Sequence, residues 1–222
     1  MMRRTFLKTS TLSIVTWGAV VHARANPLAV ALVEKTWERC LIGVGTETAT
    51  VSCAVGYVAK GPLQDPLSFS VPVIWSKALA QDPDQVIRDA DPRLELEGIV
   101  HRPKGVQFSE DASLPEGMRL AQCRFNLGGS PAPQFAIVVT YEQPLIRGLV
   151  AYLPQFEEGK NPASGREFSI SLFPQGGGEL ALVSKHEAKA TTMATRITIQ
   201  PRHKELVLVR RGVSGAALKA AQ

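Results

Sequence analysis

The chain has 222 residues, 45% hydrophobic and 20% charged, and its formal net charge of +5 invites a search for an anionic partner. The excess sits at the start: Arg3, Arg4, Lys8 and Arg24 have no acidic residue among them, and without these four the remaining 21 basic residues face 20 acidic ones. A net charge of +1 on the remainder is no nucleic-acid footprint, because such a footprint has to belong to the folded domain.

Residues 1–25 have the parts of a secretory signal: a basic start, an apolar stretch from Leu12 to Val21, and small residues at Ala23 and Ala25 that place cleavage before Asn26. Only about ten of these residues are strongly apolar, against the roughly 20 needed to cross a bilayer, so a membrane anchor is not expected. The opening RRTFLK puts Arg3, Arg4, Phe6, Leu7 and Lys8 in register with Ser/Thr-Arg-Arg-x-Phe-Leu-Lys, and so resembles the twin-arginine signal, with Met2 departing from the pattern. The resemblance implies a bacterial periplasmic or secreted product, handed to the export machinery already folded. It also implies a class of cargo that often acquires a cofactor before export; which cofactor, the residues do not say.

Residues 26–211 read as one β-sandwich domain, followed by a small-residue tail at 212–222. Asn26-Pro27 before LAVALVEKTWERC carries a helix-start signal, yet the apolar residues there fit neither the helical nor the strand period, and both readings stay open. The stretch CLIGVGTETATVSC reads as a hairpin turning at Thr46 and Glu47, which sets Cys40 opposite Cys53. Directly opposed residues in an antiparallel pair have Cα atoms roughly 4.5–5.5 Å apart, so a disulfide Cys40–Cys53 is predicted.

Asp82-Pro83 is an N-cap followed by proline at the first helical position, and predicts a short helix over QVIRD. In RLELE, Leu94 and Leu96 face a core while Glu95 and Glu97 face water. In GMRLAQCRFNL, alternation sets Cys123 with Ala121 and Phe125, which predicts a buried, unpaired thiol. The runs QFAIVVTY and ELVLV read as central strands, and Phe168, Ile170 and Leu172 of REFSISLF share one strand face. TRITIQ-PRHK-ELVLVR predicts a hairpin bearing Arg196, Arg202, Lys204, Arg210 and Arg211. Short strands punctuated by Pro/Gly-rich turns predict an all-β antiparallel sandwich with one or two short helices.

Chemistry-bearing patterns are sparse. His101, His186 and His203 lack the spacing of a local metal motif. The acidic group Asp82, Asp84, Asp89 and Asp91 is the best candidate for a cation, but it lacks the Asp-x-Asp-x-Asp-Gly register. No Gly-x-Ser-x-Gly elbow occurs, and PQGGGEL lacks the Gly-Lys-Ser/Thr of a phosphate loop. Glu95 with Glu97 reads as a solvent face rather than an acid–base pair, and Trp37, Trp75, Tyr57, Tyr141 and Tyr152 read mainly as core. The expectation is a binding, accessory or interaction domain for a protein or small ligand. The alternative is a metal- or cofactor-dependent periplasmic enzyme.

Overall fold

A computed structural model describes residues 28–29, 33–63, 67–79, 82–111, 113–128, 131–153, 168–183, 190–200 and 206–212. The signal motif, both cleavage-site alanines and the tail beyond residue 212 lie outside these residues, as do His186 and His203. Among the described residues the chain runs as β1 (Leu28–Ala29), β2 (Val33–Val44), β3 (Thr48–Ala59), β4 (Leu67–Ser76), α1 (Pro83–Ala90), β5 (Arg93–Leu96), β6 (Ile99–His101), β7 (Gly105–Ser109) and β8 (Met118–Leu127). It continues as β9 (Gln134–Pro144), β10 (Leu149–Tyr152), β11 (Phe168–Pro174), β12 (Leu180–Val183), β13 (Ala190–Ala194), β14 (Ile197–Ile199) and β15 (Val207–Arg211).

These strands form three sheets: a large one in the order β14-β11-β2-β3-β9-β5-β6, a second in the order β1-β4-β8-β7, and a third in the order β10-β15-β12-β13. The all-β, sandwich-like architecture expected from the alternation is present. The N-terminal ambiguity resolves as strand, because β2 buries Glu38, Cys40 and Ile42 on one face and exposes Arg39 and Leu41 on the other. One pairing departs from the antiparallel expectation: β11 runs parallel to β2, with Ile170 beside Cys40.

The large sheet turns Ile42, Val51, Val55, Ile137 and Leu172 inward, against Val71 and Phe125 of the second sheet and Val150 and Val209 of the third. Each such side chain contributes roughly 1.5–3 kcal/mol on burial. Tyr57, Phe69 and Phe135 pack together there, with Tyr57 5.5 Å from Phe69 edge-on and 5.6 Å from Phe135 stacked. The two small sheets meet through a separate cluster, in which Ile74, Met118 and Leu120 face Ala151, Leu153 and Leu208. This explains why Leu120, placed by alternation opposite Cys123, is nonetheless buried.

Helix α1 forms as its caps dictate: Asp82 accepts from the backbone N–H of Asp84 at 2.9 Å, Pro83 opens the helix, and Asp91 closes it at φ 43°. Val86 and Ala90 anchor it in the main core. The β5–β6 turn corrects one expectation. Glu97 lies at φ 51° and Gly98 at φ 80°, so these two residues form the hairpin turn, and Glu97 does not share a strand face with Glu95.

The expected Arg196–Arg211 hairpin is also corrected. β14 pairs with β11 in the large sheet, whereas β15 pairs with β10 and β12 in the third. Ile197 is buried where β14 lies along β11 and Val209 where β15 lies between β10 and β12, so the two apolar segments take separate partners and the basic residues are divided accordingly. Residues 202 and 204 fall outside the described part.

Candidate functional site

Two polar groupings sit inside the sandwich, and they differ in one respect: one is internally matched and the other is not. The first begins at a bulge in β2. The register passes from Lys35↔Tyr57 to Trp37↔Gly56, skipping Thr36. In an unbroken strand residues three apart point to opposite faces; the extra residue sends Lys35 and Glu38 to the same one. They form an ion pair with side chains 7% and 3% exposed. The Tyr152 hydroxyl donates to Glu38 Oε1 at 2.6 Å and lies 3.3 Å from Cys53 Sγ. That sulfur belongs to the disulfide Cys40–Cys53, with Cα atoms 4.1 Å apart, and carries no hydrogen, so the tyrosine proton goes to the carboxylate. Lys35 also lies 5.3 Å from the centre of the Phe168 ring.

Burial of Tyr141, with Glu38 and Cys123 adding negative potential, pushes its phenol well above the ordinary range. Burial alone pushes the Cys123 thiol up to about 12, which leaves it a protonated, unreactive core residue. This first grouping therefore ties the third sheet to the large one and behaves as structure.

The second grouping lies at the end of the second sheet where β4, β7 and β8 finish or begin. Arg119 is directly opposite Trp75 in register, so both side chains project from the same face. Alternation along β8 makes that face the one bearing Ala121, Cys123 and Phe125, which is the core face. Phe108, opposite Ala121, shares it, and the Arg119 guanidinium carbon lies 3.5 Å from the centre of its ring.

Arg119 Nε and Nη2 are shut off from water and have no hydrogen-bond partner among the described residues, and the indole Nε1 of Trp75 is in the same condition. Trp75 is 3% exposed. Among the described residues no carboxylate is paired with Arg119. Glu110, the residue after β7, is paired with Lys77 at 2.5 Å on the exposed surface. Ser109 Oγ and Gln143 Oε1 are also unmatched, but both are uncharged and neither shares this corner of the core face.

A donor shut off from water and left unmatched costs roughly 1–3 kcal/mol, so natural chains keep few of them. Stacking on Phe108 returns roughly 0.5–2 kcal/mol of that cost. The rest is unmatched, and the donors are of the kind that an oxyanion satisfies.

The candidate cation ligands do not converge. Asp82 caps α1 and lies 3.5 Å from Arg88, while Asp91 pairs with both Arg93 and Arg102. Asp84 and Asp89 lie on α1, and His101 ends β6 opposite Leu94. Among the described residues no three His, Cys, Asp or Glu side chains come together as a metal group.

The Arg119 corner was missed on reading the chain, although alternation in MRLAQCRF puts a charged residue on the buried face of β8. Glu38, two residues before Cys40, carries the same signal in β2. No helix among the described residues is long and apolar enough to cross a membrane.

No protein-family model matches the chain, and no curated protein matches it. Among solved structures, a nutrient-binding protein of Legionella pneumophila is 8% identical at a TM-score of 0.41, over 88% of this chain and 73% of that one. An M1 zinc metallopeptidase of Deinococcus radiodurans bound to a Tyr-Ser-Ala substrate is 10% identical at 0.38, over 82% of this chain and 43% of its own. Yeast LTA4 hydrolase is 10% identical at 0.41, over 88% and 31% respectively. At these values the likenesses carry neither a family nor an activity to this chain.

Proposed function

We propose that this chain is an extracytoplasmic β-sandwich that acts by binding, and that the corner formed by Arg119, Trp75 and Phe108 is where it holds a partner or ligand. The observation that carries the reading is the unmatched, covered guanidinium edge, on the same sheet face as the unmatched indole N–H of its strand-paired neighbour. Groups arranged for stability find partners, as Glu38, Tyr152 and Lys35 do; groups arranged for a ligand wait for theirs.

The location rests on other observations. RRTFLK resembles a signal for folded export, and a Cys40–Cys53 disulfide suits an oxidising compartment.

Substituting Arg119 with methionine tests the reading. If the guanidinium is kept for a ligand at the expense of stability, Arg119→Met stabilises the free protein by about 1 kcal/mol or more, which raises Tm by roughly 2–4 °C for a chain of this size. A fall in Tm of that size would show that Arg119 serves the fold, and would overturn the proposal.

A further inference from the structure

The structure assigns the Arg119 corner to a monocarboxylate. The assignment rests on the binding reading above and adds the chemistry of what is bound. The two unmatched guanidinium nitrogens, Nε and Nη2, are not an arbitrary pair. They form one edge of the planar fork, with two N–H bonds pointing the same way, and that edge matches the two oxygens of a carboxylate.

Trp75, at the strand-paired position on the same face, carries a further unmatched donor. Its indole N–H can only donate, so it too calls for an acceptor. A carboxylate has about four lone-pair sites, enough for the guanidinium edge and a further donor.

Charge decides between oxyanions. The corner offers one cation, since Lys77 is already paired with Glu110. One cation balances a monoanion, whereas a phosphate monoester near neutral pH carries close to two charges. The surroundings are apolar, with Phe108 beneath the guanidinium and the buried Trp75 at the strand-paired position on the same face. In such surroundings a paired, bidentate anion gains far more than it would in water.

Both guanidinium nitrogens are covered, while Arg119 as a whole is only half-buried. The acid therefore enters once covering side chains turn aside, and association is slower than diffusion allows.

The test follows the Trp75 indole N–H in a ¹H–¹⁵N spectrum of the purified full chain, its peak identified with Trp75→Phe. Sodium benzoate, a short acetylated peptide with a free C-terminus, the same peptide as its amide, and inorganic phosphate are titrated separately at constant ionic strength. The expected result is a saturable shift with benzoate, with the peptide acid, or with both, and none with the amide or phosphate. A response confined to benzoate assigns free organic acids, and one confined to the peptide acid assigns a chain terminus. Arg119→Gln lowers the affinity at least tenfold and Arg119→Lys, which lacks the fork, lowers it less.

The carboxylate assignment is overturned if no acid moves the peak, or if phosphate moves it and the acids do not. The second outcome leaves the binding reading standing. That reading falls instead on a loss of Tm in Arg119→Met.

Discussion

Tyr152 Oη donates to Glu38 Oε1 at 2.6 Å, joining β10 of the third sheet to β2 of the large one across 114 positions of sequence. Among the described residues the two sheets share no backbone hydrogen-bond ladder, and this side-chain contact bridges them. Tyr152→Phe removes a hydrogen bond to a buried carboxylate. The expected loss is about 1–3 kcal/mol in denaturant unfolding, with the strand content by circular dichroism unchanged. A loss under a few tenths would show that Lys35 and its surroundings satisfy Glu38 without the tyrosine.

The disulfide closes a 13-residue separation, which in the chain-entropy model stabilises the fold by roughly 3 kcal/mol. Cys40→Ala/Cys53→Ala is expected to lower the unfolding free energy by about that much. Quantification of thiols in denaturant is expected to find one free group in the wild type, Cys123, and to find it silent toward thiol reagents while the chain is folded. Reactivity before unfolding would contradict its complete burial.

Alkaline pH should unfold the protein partly through Cys123. Its thiol titrates near 9 when unfolded and is pushed up to about 12 by burial in the fold. Below pH 9 both states keep the proton and the contribution is fully present. Above that, the unfolded chain ionises first, so stability falls as pH rises toward 12, by on the order of 1 kcal/mol per unit. Tyr141, raised likewise, adds to the decline at the upper end. Cys123→Ala is expected to flatten the slope of unfolding free energy against pH between 9 and 12. An unchanged slope would remove the thiol from the account.

Gly56 lies under the indole of Trp37 on the outer face of the large sheet, where an added Cβ would come within 2.1 Å of the indole Nε1. Gly56→Ala is expected to push Trp37 off the sheet. The checks are a red shift in tryptophan emission and a destabilisation of about 1–3 kcal/mol. An unshifted spectrum would mean that the strand, and not the ring, gives way.

The export reading has a direct check as well. Replacing Arg3 and Arg4 together with lysine is expected to retain the chain in the cytoplasm of its host, while the unsubstituted chain is recovered with Asn26 at its N-terminus. Equal export of both would assign the ordinary secretory route.

Much of the architecture was legible from short-range pattern. Alternation placed Leu94, Leu96, Ile170 and Leu172 inward, the Asp82-Pro83 pair announced α1, and turn geometry set Cys40 opposite Cys53. These are properties of a few consecutive residues and their two-residue or helical period, so the local chain determines them. The candidate site was not read from the sequence. The alternation that places Cys123 with Ala121 also places Arg119 on that face, but the sequence reading passed over it.

Tertiary structure decided the rest. It set β11 parallel to β2, sent β14 and β15 to different sheets, and turned Lys35 and Glu38 to one face through the bulge at Thr36. It also left Arg119 and Trp75 without acceptors while giving Glu38 its donors. A strand's period fixes which face a side chain takes, but its partner is set by which distant strand lies alongside. Whether a buried charge is matched is a property of that neighbour.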